Sequence, residues 1–263
     1  MSQATQAGGA RRGAVITAIT SGKGGVGKTL VAANLAAALA RAGQRVLVLD
    51  ADLGLANLDV VLNLSARVTL HDVFTGKATL DEALQPAPGG FSVLLAGSGL
   101  VEYSRMTPEV RDKLLDVIAQ VRPRFDQVLL DTGAGISDVV LFTVSLADEV
   151  LIVATPEPTS LTDAYATVKV LATTQPARPM RLLVNQVQKA GEGRAVATQL
   201  QQVVDRFVSP GLAAPVRLLP LGEVPLDAAV RTSVQRRQLL MDALPGSPAA
   251  VALAAAAARL LPP

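Results

Sequence analysis

The sequence predicts an α/β fold: a doubly wound, mostly parallel sheet with helices on both faces. Three observations carry this expectation. Short apolar runs without polar alternation recur along the chain, as suits strands covered on both faces. Longer amphipathic stretches separate them, giving a strand–helix–strand series. The length of 263 residues, 50% apolar and 17% charged, is enough to bury one large core.

The elements follow in order. Strands are expected at residues 14–20, 45–50, 91–96, 126–131, 149–155, 181–185 and 215–220, all rich in Val, Leu and Ile. Helices are expected at 28–42, 108–121, 136–146, 160–174 and 193–207, with a last one at 249–261. Pro108 after Thr107 marks a helix start and Gly43 a helix stop. Ser160 reads as an N-cap after the stiff turn of Pro156 and Pro158. Residues 85–90, rich in Gly and Pro, read as a loop. Residues 1–13 lack periodicity and read as a flexible arm, leaving residues 14–263 as a single domain.

Composition removes several chemistries. With no Cys there are no iron–sulfur clusters, thiolate zinc sites, thiol nucleophiles or disulfides. A single histidine, His71, argues against a His-based metal site or a Ser-His-Asp triad. The longest apolar stretches, 139–147 and 249–258, fall short of the roughly 20 residues a membrane span needs. The N-terminus has no apolar signal core, so a cytoplasmic protein is expected. The net charge of +2 is uneven: residues 1–175 hold 14 Lys/Arg against 17 Asp/Glu, residues 176–263 hold 10 against 5. The basic final third is either scattered solvated arginine or a surface for an anionic partner.

The strongest signal follows the first strand. Residues 22–29, Gly-Lys-Gly-Gly-Val-Gly-Lys-Thr, satisfy G-x-x-x-x-G-K-[ST] between a strand and a helix, the setting in which backbone N–H groups cradle phosphates. Gly24, Gly25, Val26, Gly27, Lys28, Thr29 and Leu30 form the expected phosphate cradle. Lys28 reaches the β- and γ-phosphates and Thr29 is placed to ligate Mg²⁺. Lys23 is a second lysine in the same loop; it is either a solvated charge or, lying on the outer side, a group that reaches nucleotide on a facing subunit.

Carboxylates end two strands. Asp50 and Asp52, at i and i+2, point toward the carboxyl edge where α/β ligands bind; one can help hold the Mg²⁺ shell and the other orient water. Asp131 closes the run 127–130 as a Walker B type metal carboxylate, so the expected metal set is Thr29, Asp131 and one of the pair Asp50 and Asp52, Asp50 once the resemblance below assigns Asp52 to water. Asn185, at the end of a later strand, is either a turn residue or a carboxamide for a base edge.

Residues 23–29, KGGVGKT, resemble the deviant Walker A motif of the MinD/ParA class of SIMIBI-type P-loop NTPases, in which the early lysine crosses a nucleotide-sandwich dimer. Lys23 matches that lysine. Residues 50–59 resemble the DxDxGLxNLD switch of this class, which makes Asp52 the water-positioning residue and leaves Asp50 and Asn57 lesser positions. Residues 131–136 resemble its DTxAGI switch II, and Asn185 matches its adenine-recognising Asn. Residues 221–225 occupy the place of its backbone contacts to adenine, so Pro220, Gly222 and Val224 join the expected pocket. The resemblance implies an ATPase using ATP and Mg²⁺, with Lys23, Lys28 and Asp52 as the catalytic set.

Within the class, residues 155–166, TPEPTSLTDAYA, look like the FlhG (FleN/YlxH) family of flagellar-number regulators. That implies a homodimer in the ATP state, with an FlhF-type GTPase, flagellar C-ring proteins or a flagellar transcription activator as partner, and a polar or peripheral membrane location. Two departures bear on this. The arm keeps Gln6, Ala7 and Arg11 of a DQAxxLR-type GTPase-stimulating helix, but Gly8 and Gly9 cost about 2 kcal/mol of helix propensity. The tail 249–261 is mostly Ala with Arg259 as its one charge, which suits packing better than membrane binding and leaves Arg231, Arg236 and Arg237 as the better partner-facing group. A ParA-type partition ATPase on nucleoid DNA and a weakly hydrolysing anti-activator are the alternatives.

Overall fold

The computed structural model describes residues 13–53, 57–97, 106–176 and 178–261. Of the expected arm at 1–13 only Gly13 falls within them, and Gly54, Leu55 and Ala56 of the first switch lie outside.

The chain runs β1 (Val15–Ser21), α1 (Lys28–Arg41), β2 (Val46–Ala51), α2 (Leu58–Leu62), α3 (Leu70–Phe74), α4 (Leu80–Ala83), β3 (Gln85–Pro86) and β4 (Ser92–Leu94). It continues through α5 (Pro108–Val121), β5 (Gln127–Ala134), α6 (Asp138–Ser145), β6 (Glu149–Ala154), α7 (Pro158–Thr174), β7 (Met180–Val187) and α8 (Glu192–Phe207). Strand β8 (Leu218–Pro225) and helices α9 (Ala228–Gln235), α10 (Leu240–Ala243) and α11 (Pro248–Ala258) complete it. Among the described residues eight strands form one sheet in the order β3-β4-β2-β5-β1-β6-β7-β8. Every pairing is parallel except β3 with β4.

Two cores flank the sheet. On one face Leu114 of α5, Val144 of α6, Val168 of α7 and Leu200 of α8 pack on Ile16, Ala18 and Leu130. On the other, Leu35 of α1, Leu58 of α2, Leu240 of α10 and Leu253 of α11 pack on Ile19, Leu129 and Leu151. Neighbouring strand residues thus serve opposite layers, which is why these strands read as unbroken apolar runs.

Helix ends follow local chemistry. The α5 start is as expected, with Thr107 Oγ1 accepting from Val110 N at 3.4 Å and Pro108 at N1. Helix α7 starts two residues before the expected position: Pro158 takes N1, and Ser160, read as a cap, instead accepts from Thr155 N at 3.0 Å through its hydroxyl. Proline is well placed at N1 because its missing N–H has no helical partner there. The stretch read as a loop at 85–90 contains β3, a two-residue antiparallel edge. The seventh expected strand, 215–220, is β8 shifted to Leu218–Pro225, which carries Pro220, Gly222 and Val224 within the strand.

Both sheet edges are blunted. Pro86 sits on β3 and Pro220 on β8, each lacking an N–H to offer a further strand. The Arg259 guanidinium at the end of α11 donates to the Leu221 carbonyl of β8. Helix α11 itself buries Ala249, Ala250, Leu253, Ala256 and Ala257, as a packing helix should. Among the described residues no helix is long and apolar enough to cross a membrane.

Candidate nucleotide site

The loop between β1 and α1 stands at the carboxyl edge of the sheet centre. Gly27 is the N-cap of α1 with φ 94, a left-handed conformation that favours glycine, and no side chain caps the helix. The first N–H groups of α1 are therefore left to a ligand, in the manner of helix N-termini that bind anions. Ser21 ties the loop inward: its hydroxyl donates to the Lys23 carbonyl at 2.7 Å and accepts from Lys28 Nζ at 3.0 Å.

The outer side of the loop is gripped by later elements. A Cβ on Gly22 would overlap the Asp163 backbone of α7. Asn185 Nδ2 donates to the Val26 carbonyl at 2.8 Å, while Asn185 Oδ1 accepts from Gln186 N at 3.0 Å. A Cβ on Gly27 would lie 2.6 Å from that same Nδ2. Lys23 has different partners from Lys28: its ammonium donates to Glu157 at 2.9 Å and to the Thr159 hydroxyl at 3.0 Å.

A pocket of about 600 Å³ opens beside the loop. Gly24, Gly25, Gly27, Lys28, Thr29 and Leu30 line one side; Asp52, Asn57, Thr132 and Gly133 are among those opposite. Asp52 packs on switch II, since a Cβ on Gly133 would lie 3.4 Å from its Oδ1. Behind the pocket Asp50 and Asp131 are paired in register on adjacent strands, 1% and 2% exposed.

These buried charges perturb one another. Burial pushes the Asp50 carboxyl up to about 8, with the Asp131 charge acting the same way and the N–H groups of Asp52 and Leu58 opposing. Burial also raises Asp131, to about 6, against the Thr29 hydroxyl and the Lys28 ammonium. Lys28 is pulled below the usual lysine range by burial, while Asp131 and Asp52 oppose the shift.

The residues fit a divalent ion carried by a nucleotide. Asp131 Oδ1 is buried with no hydrogen-bond partner among the described residues, and the Thr29 hydroxyl is bonded to the same carboxylate. Among the described residues no group of three or more His, Asp or Glu could hold a metal by itself, so the remaining ligands fall to phosphate oxygens and water, as is usual for Mg²⁺. Asp50 is otherwise engaged: its oxygens accept from Asp52 N at 3.2 Å and Leu58 N at 3.4 Å, bracing both described ends of the first switch.

The sequence-expected residues thus divide. The phosphate loop, Thr29, Asp52 and Asp131 converge on one place. Asn185 lies beneath the loop as a brace. Pro220 and Gly222 line a separate groove of about 770 Å³ between α8 and α11, and Val224 is buried in the core. Glu157 and Thr159 were not singled out in the sequence; the signal available was their place in the PEPTS stretch.

Comparison with known proteins accords with this geometry. Residues 17–240 match the model of the CobQ/CobB/MinD/ParA nucleotide binding domain. The chain is 41% identical to the antiactivator FleN of Pseudomonas aeruginosa over 93% of this chain and 85% of that protein. It is 34% identical to the flagellum site-determining protein YlxH of Helicobacter pylori, over 87% of this chain and 75% of that one. Among solved structures, the septum site-determining protein MinD of Pyrococcus horikoshii, complexed with Mg-ADP, superposes with a TM-score of 0.77 at 27% identity, covering 94% of this chain and 96% of that chain. The match over residues 17–240 and the likeness to FleN and YlxH, on a chain with a two-lysine phosphate loop and a buried strand-end aspartate, place it in the CobQ/CobB/MinD/ParA nucleotide-binding family, on its FleN/YlxH branch.

Proposed function

We propose that the chain is a Mg-ATP-dependent ATPase switch that dimerises on ATP and controls flagellar number or placement through partner proteins that read the dimer. The observation that carries this reading is the convergence of Lys28, Thr29 and the unpartnered Asp131 oxygen on a pocket whose far wall holds Asp52. The α1 N-terminus and Lys28 bind and orient the phosphates. Thr29 and Asp131 would hold Mg²⁺, which neutralises phosphate charge and polarises the transferred group. Asp52 accepts a hydrogen bond from the attacking water and aligns it with the γ-phosphate. Lys23, outside its own pocket, is placed to serve the facing subunit once it leaves Glu157 and Thr159.

The test is molecular mass with Mg-ATP for the wild-type chain and for Asp52→Ala. The variant should bind ATP, accumulate as a dimer and lose at least about a hundredfold in turnover, in the range that positioned acid–base groups contribute. A variant that binds ATP and stays monomeric breaks the sandwich mechanism. The likeness to a protein named as an antiactivator supports a second reading, sequestration of a transcription activator with little turnover. Substantial turnover in the absence of any activator counts against it.

A further inference from the structure

A concavity of about 380 Å³ lies away from the phosphate pocket, where the end of α2 faces the turn between α9 and α10. Its floor is apolar, made by Leu62, Leu64, Pro88 and Leu239. Its rim carries Arg237, and exposed Arg231 and Arg236 stand on the same segment, in which residues 228–241 contain no acidic side chain. The acidic residue lining the groove, Asp242, is already paired with Arg41 at 2.6 Å. The rim is therefore basic on balance.

Arg237 is an unexpected residue for its backbone. It has φ 50 and closes α9 by a Schellman arrangement, Arg237 N donating to the Val234 carbonyl at 3.0 Å and Gln238 N to the Ser233 carbonyl at 2.9 Å. Glycine is the residue this position favours, so an arginine there gives up stability to put a guanidinium on the groove. The opposite wall belongs to α2, whose first N–H, Leu58, donates to Asp50 at the base of the first switch.

We infer that this groove docks an acidic peptide segment of a partner protein, its carboxylates on the arginine rim and its apolar side chains on the floor. A nucleic-acid backbone has no apolar group to fill such a floor, and a lipid surface does not enter a recess between two helix ends. Docking needs only the folded chain. Its dependence on nucleotide rests on the switch reading above.

The experiment titrates the full chain against a labelled peptide alternating glutamate and leucine, with and without Mg-ATP. A lysine–leucine peptide, a random-sequence DNA duplex and phosphatidylglycerol vesicles are run alongside. Arg237→Gly should raise the melting temperature and weaken the acidic peptide about tenfold, a change of about 1.4 kcal/mol. Higher stability with unchanged peptide affinity overturns the inference, as does no binding of the acidic peptide or equal binding of the basic one. Duplex or vesicle binding that exceeds peptide binding and is lost in Arg237→Gly also overturns it, in favour of DNA or membrane. Peptide affinity that depends on Arg237 but not on Mg-ATP upholds the docking and removes its link to the switch.

Discussion

The two flanks of the phosphate loop are built on opposite principles. Toward β2 and β5 the loop faces crowded, buried carboxyl groups: Asp50 and Asp131 side by side, and an Asp131 oxygen with no partner among the described residues. Toward β6 and β7 the loop is held by direct contacts: Gly22 against α7, Asn185 on the Val26 carbonyl, Lys23 on Glu157. One flank leaves a carboxyl oxygen open, as a site for a cation and phosphates would, and the other holds the loop in shape. Rigidity and an unpartnered carboxyl oxygen thus fall on opposite sides of eight residues.

The strongest way to break the contrast is a methyl group on each flank. Gly22→Ala places a Cβ inside the Asp163 backbone, which can give only if α7 moves. A loss upward of about 3 kcal/mol is expected, or roughly 6–12 °C in melting temperature. Gly24→Ala meets nothing within 4 Å and lines the pocket, so it should leave melting unchanged while weakening nucleotide. Equal melting of the two variants would erase the distinction.

The charged flank predicts a pH dependence. Because the folded pKa of Asp50, about 8, lies above its ordinary value of 3.8, the folded state binds more protons than the unfolded state between them. Stability of the nucleotide-free protein is then greatest below about pH 4 on this account and falls as pH rises toward 8. Asp131, at about 6, adds a smaller contribution of the same sign. Asp50→Asn should remove most of the decline in melting temperature between pH 5 and 8; an unchanged slope would place the dependence elsewhere.

The smallest effect belongs to the exposed latch. Lys23 and Glu157 have side chains 40% and 61% exposed, so their ion pair should contribute under about 1 kcal/mol. Glu157→Ala should shift melting by no more than a few degrees. A larger loss would make the latch a structural element and not a releasable one.

How much of this was legible in the sequence depended on distance along the chain. Strand β1, helix α1 and helix α5 show themselves because their periods and end residues are local, Thr107-Pro108 most plainly. Helices α2, α3, α4 and α10 have five residues or fewer, too short to display a helical period. Strand β8 was misplaced because Pro220 reads as a terminator, whereas pairing with β7 carries the strand past it through a register shift at Leu182 and Leu183. In the site, the phosphate loop and the strand-end carboxylates Asp50, Asp52 and Asp131 were readable from local pattern. The grip of Glu157 on Lys23 was not, since it joins residues 134 apart and nothing local announces it.

The proline at each rim of the sheet has a consequence for stoichiometry. With Pro86 on one edge and Pro220 with Arg259 on the other, neither margin offers a clean row of backbone donors and acceptors on which copies could stack end upon end. The dimerisation proposed above would then have to use another surface, and the loop-bearing end of the sheet is the one that its two-fold axis would cross. An assembly made that way would stop at two, and its abundance would track the supply of nucleotide, not the length of any growing polymer.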